Sequence, residues 1–188
     1  ANSTGTFSAA IRVLASGKLT VDNNSTLIAN RGDIGTSRGI QLENKAAATV
    51  NQSTITANSS GSIVFGALAV DASKLTTNGS TIVANMTGQS GEAQGIQISG
   101  TSKGTLTRTN VTATNLNNTV YGALVFQNGI LNLNQSQVVA QNTNTTQGQA
   151  FALSNGNTGS SINVTNSNLT VSGFAPQVTI GSNIAFNG

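Results

Sequence analysis

Five carboxylates, Asp22, Asp33, Glu43, Asp71 and Glu92, are the side chains of this chain best suited to acid–base work or hard-metal ligation near neutral pH. There is no histidine to serve as a base and no cysteine to supply a thiolate, a disulfide or a soft metal ligand. Hydrolysis of a glycosidic bond needs two carboxyl groups facing each other across a cleft, and a calcium cage needs several oxygen ligands at once. The five acids stand far apart, each at a different point of the repeat described below, so we expect no catalytic centre, metal site or cofactor. The sharpest short motif is Arg31-Gly32-Asp33. Gly32 lets the backbone turn tightly, so that Arg31 and Asp33 project apart, one toward an acidic pocket and the other toward a receptor-bound cation. A solvated turn pair is the plain alternative.

Eight Lys and Arg against five Asp and Glu leave a formal charge of +3. The basic residues are scattered, nearly all within the first 108 positions, and form no run that resembles a nucleic-acid footprint. We expect no nucleic-acid partner and at most a weak attraction to anionic glycans.

These residues must be positioned by short elements. Gly122 to Asn142 contains three brief apolar runs separated by Asn, Gln and Gly, each too short for a helix. The same pattern recurs along the chain. Ser25, Ser53, Ser80, Thr109, Ser136 and Ser167 fall in one column with spacings of 28, 27, 29, 27 and 31 residues. Self-similarity at this period marks a solenoid, whose units bury their apolar faces only by stacking on neighbours. Two residues after the column stand Leu27, Ile55, Ile82, Val111, Val138 and Leu169; four after it stand Ala29, Ala57, Ala84, Ala113, Ala140 and Val171. The Ala column requires a tight corner, and Asn30, Asn58 and Asn85 behind it suit a left-handed backbone and a side-chain ladder. A further column, Val50, Thr77, Leu106, Leu133 and Val164, has Thr77 as its one polar member. In the first coil Ile11, Val13, Leu19, Val21, Leu27 and Ala29 should face inward.

Glycines at 39, 66, 95 and 122 begin the other half of each coil, with spacings of 27, 29 and 27, so the pattern also repeats every 27 + 29 = 56 residues, over two coils. Around these glycines the outward positions alternate. Arg38, Gln41 and Glu43 are followed by Phe65, Leu68 and Val70, then Gln94, Gln97 and Ser99, then Tyr121, Leu124 and Phe126. Phe65, Leu68, Val70, Tyr121, Leu124 and Phe126 should therefore form two exposed apolar ridges ~9.6 Å apart, at ~4.8 Å per coil. A covering loop, or a register slip of one residue, would bury them. Gly173 to Gly188 holds the single proline, Pro176, and reads as a partial seventh coil.

The fold class expected is all-β, a right-handed parallel β-helix of about six to seven coils forming one domain over residues 1–188. From about residue 9 to 172, the Gly-Ala-Leu strand, the Leu-Thr-Val or Leu-Asn-Leu strand and the Ser-Thr-Ile-Thr-Ala-Asn strand resemble pertactin and related autotransporter passenger domains of Gram-negative bacteria. The resemblance implies export to the bacterial surface and a membrane link only through a C-terminal β-barrel not contained in this sequence, which reads as a fragment of a longer passenger. It also implies adhesion, through a host-cell receptor or extracellular matrix bound by the Arg-Gly-Asp motif, or through a second copy of the chain, giving aggregation and biofilm. The rival expectation is a structural stalk that only presents a module located elsewhere.

Overall fold

The computed structural model describes residues 7–32, 35–144, 146–157, 159–181 and 183–187. Among them are twenty strands, numbered in chain order, which pass in rotation onto three parallel sheets. The first sheet carries β1 (Phe7–Val13), β4 (Thr36–Leu42), β7 (Ile63–Ala69), β10 (Glu92–Ile98), β13 (Val120–Val125), β16 (Ala150–Asn155) and β19 (Pro176–Gly181). The second carries β2 (Lys18–Val21), β5 (Ala47–Asn51), β8 (Lys74–Asn78), β11 (Lys103–Thr107), β14 (Ile130–Asn134), β17 (Ser161–Thr165) and β20 (Ile184–Asn187). The third carries β3 (Thr26–Arg31), β6 (Thr54–Ser59), β9 (Thr81–Met86), β12 (Asn110–Asn115), β15 (Gln137–Asn142) and β18 (Asn168–Ser172). Each strand pairs in parallel with its counterpart one coil away, so the protein is a parallel β-helix of six coils with a partial seventh made by β19 and β20.

Two of the three corners in a coil are tight, and both use left-handed backbone. Between the first and second sheets, pairs of residues with positive φ recur as Ala15–Ser16, Asn44–Lys45, Asp71–Ala72, Gly100–Thr101 and Gln127–Asn128. Between the second and third sheets, the residue before the small polar column is left-handed in every coil: Asn24, Gln52, Gly79, Arg108, Gln135 and Asn166. Asn30, Asn58 and Asn85, expected to hold that conformation, instead lie in extended strands β3, β6 and β9. Their ladder does form. Asn58 Nδ2 donates to Asn30 Oδ1 at 2.7 Å, and Asn85 Nδ2 to Asn58 Oδ1 at 2.9 Å.

The small polar column exists to satisfy the corner that follows the left-handed residue. The hydroxyls of Ser80, Ser136 and Ser167 accept hydrogen bonds from the amides of Ser53, Thr109 and Ser136 in the preceding coil, at 3.3, 3.1 and 3.0 Å. Each hydroxyl lies 2.8–3.1 Å from the carbonyl two residues upstream, to which it can donate. An alanine would leave a buried amide without its acceptor. Thr77, the polar entry in the Leu/Val column, is buried and its hydroxyl bonds across to Thr109 of the next coil at 2.8 Å.

The interior has two compartments. The larger is lined by Ile40, Leu42, Ile55, Leu75, Ile82 and their ladder partners; each such side chain contributes ~1.5–3 kcal/mol by leaving water. The smaller holds the Ala column from Ala29 to Ala140 against Val64, Met86, Ala93, Val120 and Ala150. Between them lies the glycine column, where a side chain has no room. A Cβ on Gly95 would sit 2.5 Å from both Gly122 O and Val111 Cγ1, and one on Gly39 only 2.4 Å from Gly66 O and Ile55 Cγ2.

The two-coil period has a packing cause. In coils two and four, large Ile40/Leu42 and Ile96/Ile98 on the first sheet accompany small Ala48 and Gly104 on the second. In coils three and five the sizes invert: Ala67/Ala69 and Ala123/Val125 accompany Leu75 and Leu131. Leu131 reaches over Gly104, where an added Cβ would meet its Cδ1 at 2.9 Å. The cross-section is thus filled with side chains that interlock from coil to coil, as close packing demands.

Gly95→Ala and Ala113→Leu should each lower stability by ~1–3 kcal/mol through overpacking. Thr112→Val, on the outward face one residue from Ala113, should change it by less than about 0.5 kcal/mol. Urea unfolding followed by circular dichroism checks all three.

Candidate binding surface

The Arg-Gly-Asp motif begins at the last residue of β3, where alternation decides the direction of each side chain. Ala29 and Arg31 fall on the inward side and Asn30 on the outward side. Arg31 is only 5% exposed, so it does not project outward as the expected receptor contact requires. It occupies the first place of an inward column continued by Ser59, Met86, Asn115 and Asn142, all buried. Gly32 is exposed, with nothing within 4 Å of a notional Cβ. Asp33 lies outside the described residues.

That inward column organises the third corner, whose connections vary in length. Asn115 Nδ2 donates to Gly91 O and Thr119 O, and its Oδ1 accepts from the Asn117 amide. Asn142 Nδ2 donates to Asn118 O at 2.7 Å while its Oδ1 accepts from the Asn144 amide. Outside it, Asn144 Nδ2 donates to Asn117 Oδ1 at 2.7 Å, and Asn117 Nδ2 donates to Gln89 Oε1. Leu116, Thr143 and Thr146 complete an open polar groove over this amide ladder.

On the first sheet, the six residues expected as exposed ridges do point outward, but they are not exposed. Phe65 is 7% and Leu68 6% accessible, and Val70, Tyr121, Leu124 and Phe126 are half-buried. The register is the expected one, and side chains of neighbouring coils contribute to the cover. Phe65 stands in register between Arg38 and Gln94, and Leu68 between Gln41 and Gln97, so long polar side chains from the coils on either side lie against them. The Arg38 guanidinium is centred 5.9 Å from the Phe65 ring. Arg38 Nη1 donates to Gln41 Oε1 at 3.0 Å, Gln41 donates to Glu43, and Glu43 forms a 2.7 Å ion pair with Arg12. This network holds the cover in place.

Phe151 was not legible as part of this surface. It stacks on Tyr121 with centroids 5.3 Å apart and planes 15° from parallel, and extends the second ridge into the sixth coil. Its coil carries Ala152 where coils two to five carry glycine, which hides it from an alignment on the glycine column.

Glu92 begins β10 on this surface. Burial pushes its carboxyl above the ordinary range, against the opposing pull of a hydrogen bond from Gln94. Burial likewise raises the Tyr121 phenol, with the Glu92 charge adding to the effect. Among the described residues, no three acids come together as a metal-binding group. Comparison with protein-family models and with curated proteins finds no match to this chain.

A carboxyl with a higher pKa in the folded than in the unfolded chain binds its proton more tightly when folded. Stability therefore falls as pH rises from the unfolded carboxylate value, ~4.3, through the raised folded value. Glu92→Gln should show a higher thermal midpoint than the parent near neutrality, and the two curves should converge below pH ~4. Parallel melting curves across this pH range check the sign.

Proposed function

We propose that this chain is a non-catalytic segment of a bacterial surface adhesin, the passenger of an autotransporter, that mediates attachment to host cells or aggregation between bacteria. The observation that carries this reading is the register. Unbroken parallel pairing from β3 to β18 and from β2 to β20 sets outward polar side chains in straight ranks along the solenoid at ~4.8 Å intervals. Ranks of this kind bind through many weak contacts made at once, and effective concentration turns them into useful avidity without a deep pocket.

A second reading, a stalk that only spaces another module from the membrane, is favoured by one observation. Several outward amides already satisfy each other, as in Asn30–Asn58–Asn85 and Asn132–Asn163. Beads coated with the segment distinguish the two. The adhesive reading expects coated beads to clump together or to bind host cells. It expects Leu124→Ser with Phe126→Ser to weaken clumping if the half-buried ridge contributes, and Asp33→Ala to weaken cell binding if the tripeptide does. Beads that neither clump nor attach, with circular dichroism showing intact β-structure, would leave the stalk.

A further inference from the structure

The charges of the chain are sorted by face. Over the first sheet Arg12 and Arg38 are matched by Glu92 and by Glu43, which follows β4 and turns its carboxylate back to Arg12 and Gln41, and around the third corner Arg31 is matched by Asp33 in sequence. The second sheet and its two tight corners hold all the rest: Lys18, Lys45, Lys74, Lys103 and Arg108 against Asp22 and Asp71. That sum is 5 − 2 = +3, the entire net charge of the protein.

The placement is regular. Lys18, Lys74 and Lys103 share one register column, with Ala47 between the first two, so the last two project from adjacent coils ~4.8 Å apart. All five cations are exposed, and among the described residues none of the four lysines forms an ion pair. Like charges side by side on a sheet repel, so the bare face carries an electrostatic cost that a bound polyanion would relieve. Two residues along each strand runs a hydroxyl rank, Thr20, Thr49, Thr76 and Thr105, continued by Asn132 and Asn163.

We infer that this face binds a linear acidic polysaccharide laid along the solenoid axis, with carboxylate or sulfate groups against the lysine column and sugar hydroxyls against the threonine and asparagine ranks. The occupant must be anionic because the whole net charge lies here. It must be long and repetitive because the lysines and hydroxyls recur from coil to coil in one register lattice. The lysine column and the Thr/Asn ranks carry no aromatic on which a base could stack, which separates a glycan from single-stranded nucleic acid. The inference rests on the adhesive reading and gives that reading a partner class.

The test uses purified protein with immobilised heparin and immobilised polygalacturonate as probes, and neutral dextran as blank. The wild type should be retained at low salt by at least one acidic probe and released steeply as salt rises, as expected when counterions are displaced. Lys74→Gln with Lys103→Gln should weaken binding about tenfold. Asn110→Asp with Gln141→Glu, which lowers the net charge by the same two units on the third sheet, should change it by less than about threefold. Soluble heparin should also raise the thermal midpoint of the wild type more than that of the lysine variant. Failure of both acidic probes to retain the wild type above the dextran blank, equal loss in the charge-matched control, or stronger competition by oligothymidylate than by heparin would overturn the inference. Beads that still clump while heparin and polygalacturonate both fail would refute the polysaccharide partner and leave the adhesive reading standing.

Discussion

The structure depends on a backbone hydrogen-bond ladder that does not stop where the strands stop. At the corner between the first and second sheets, Ser16, Lys45, Ala72 and Thr101 donate their amides to Asn44, Asp71, Gly100 and Gln127 of the next coil at 2.7–3.1 Å. Between the second and third sheets, Gln52, Gly79, Arg108 and Gln135 do the same to Asn78, Thr107, Asn134 and Thr165 at 2.9–3.0 Å. A left-handed residue other than glycine costs ~1–2 kcal/mol, and here that conformation is what aims the amide along the solenoid axis. The interlocking core, the hydroxyl column and the flat outer ranks all presuppose that this ladder keeps each coil in step with the next.

Once the coils are in step, inside and outside become coupled through alternate coils. Coils two and four put Ile and Leu from the first sheet into the core and Arg or Gln on its outer surface; coils three and five put Ala or Val inside and Phe, Tyr or Leu outside. The polar side chains of coils two and four then lie beside the apolar ones of coils three and five. An apolar surface that would invite aggregation is thereby reduced to a buried ridge at Phe65 and Leu68, flanked by the Arg38–Gln41–Glu43–Arg12 network, and a half-buried one at Tyr121 and Leu124. The second sheet has no such cover, and its lysines and threonines face solvent or half-face it in unbroken register.

What was legible in the sequence is what stacking forces to repeat. The Ser, Ala, Val/Ile and glycine columns identified the coils, the strand β2 and the double period, because one unsuitable residue in a ladder is felt by two neighbours. The left-handed corner was misplaced because its conformation is set by the ladder and not by side chains: Gln52, Arg108 and Gln135 carry no turn signal, whereas Asn30, Asn58 and Asn85 carry one and are extended. The burial of Arg31 was hidden because the turn expected at Gly32 would aim it outward, whereas the inward alternation of β3 extends to Arg31 itself. The burial of Phe65 and Leu68 depends on how far Arg38, Gln41, Gln94 and Gln97 reach sideways between coils, which a pattern read along one strand does not contain. The concentration of charge on the second sheet was also invisible until the register brought Lys18, Lys74 and Lys103 into one column.

An adhesive solenoid and a mere spacer would share this ladder, so the most direct test of the account addresses the ladder itself. Amide hydrogen exchange resolved by residue measures it at the corners. The amides of Lys45, Gln52, Ala72, Arg108 and Gln135 should exchange as slowly as those in the middle of β8 and β11, since both belong to one cooperative stack. Exchange at those corner amides as fast as in the variable connections, with the strands still protected, would contradict it and reduce the corners to ordinary turns between separately held sheets.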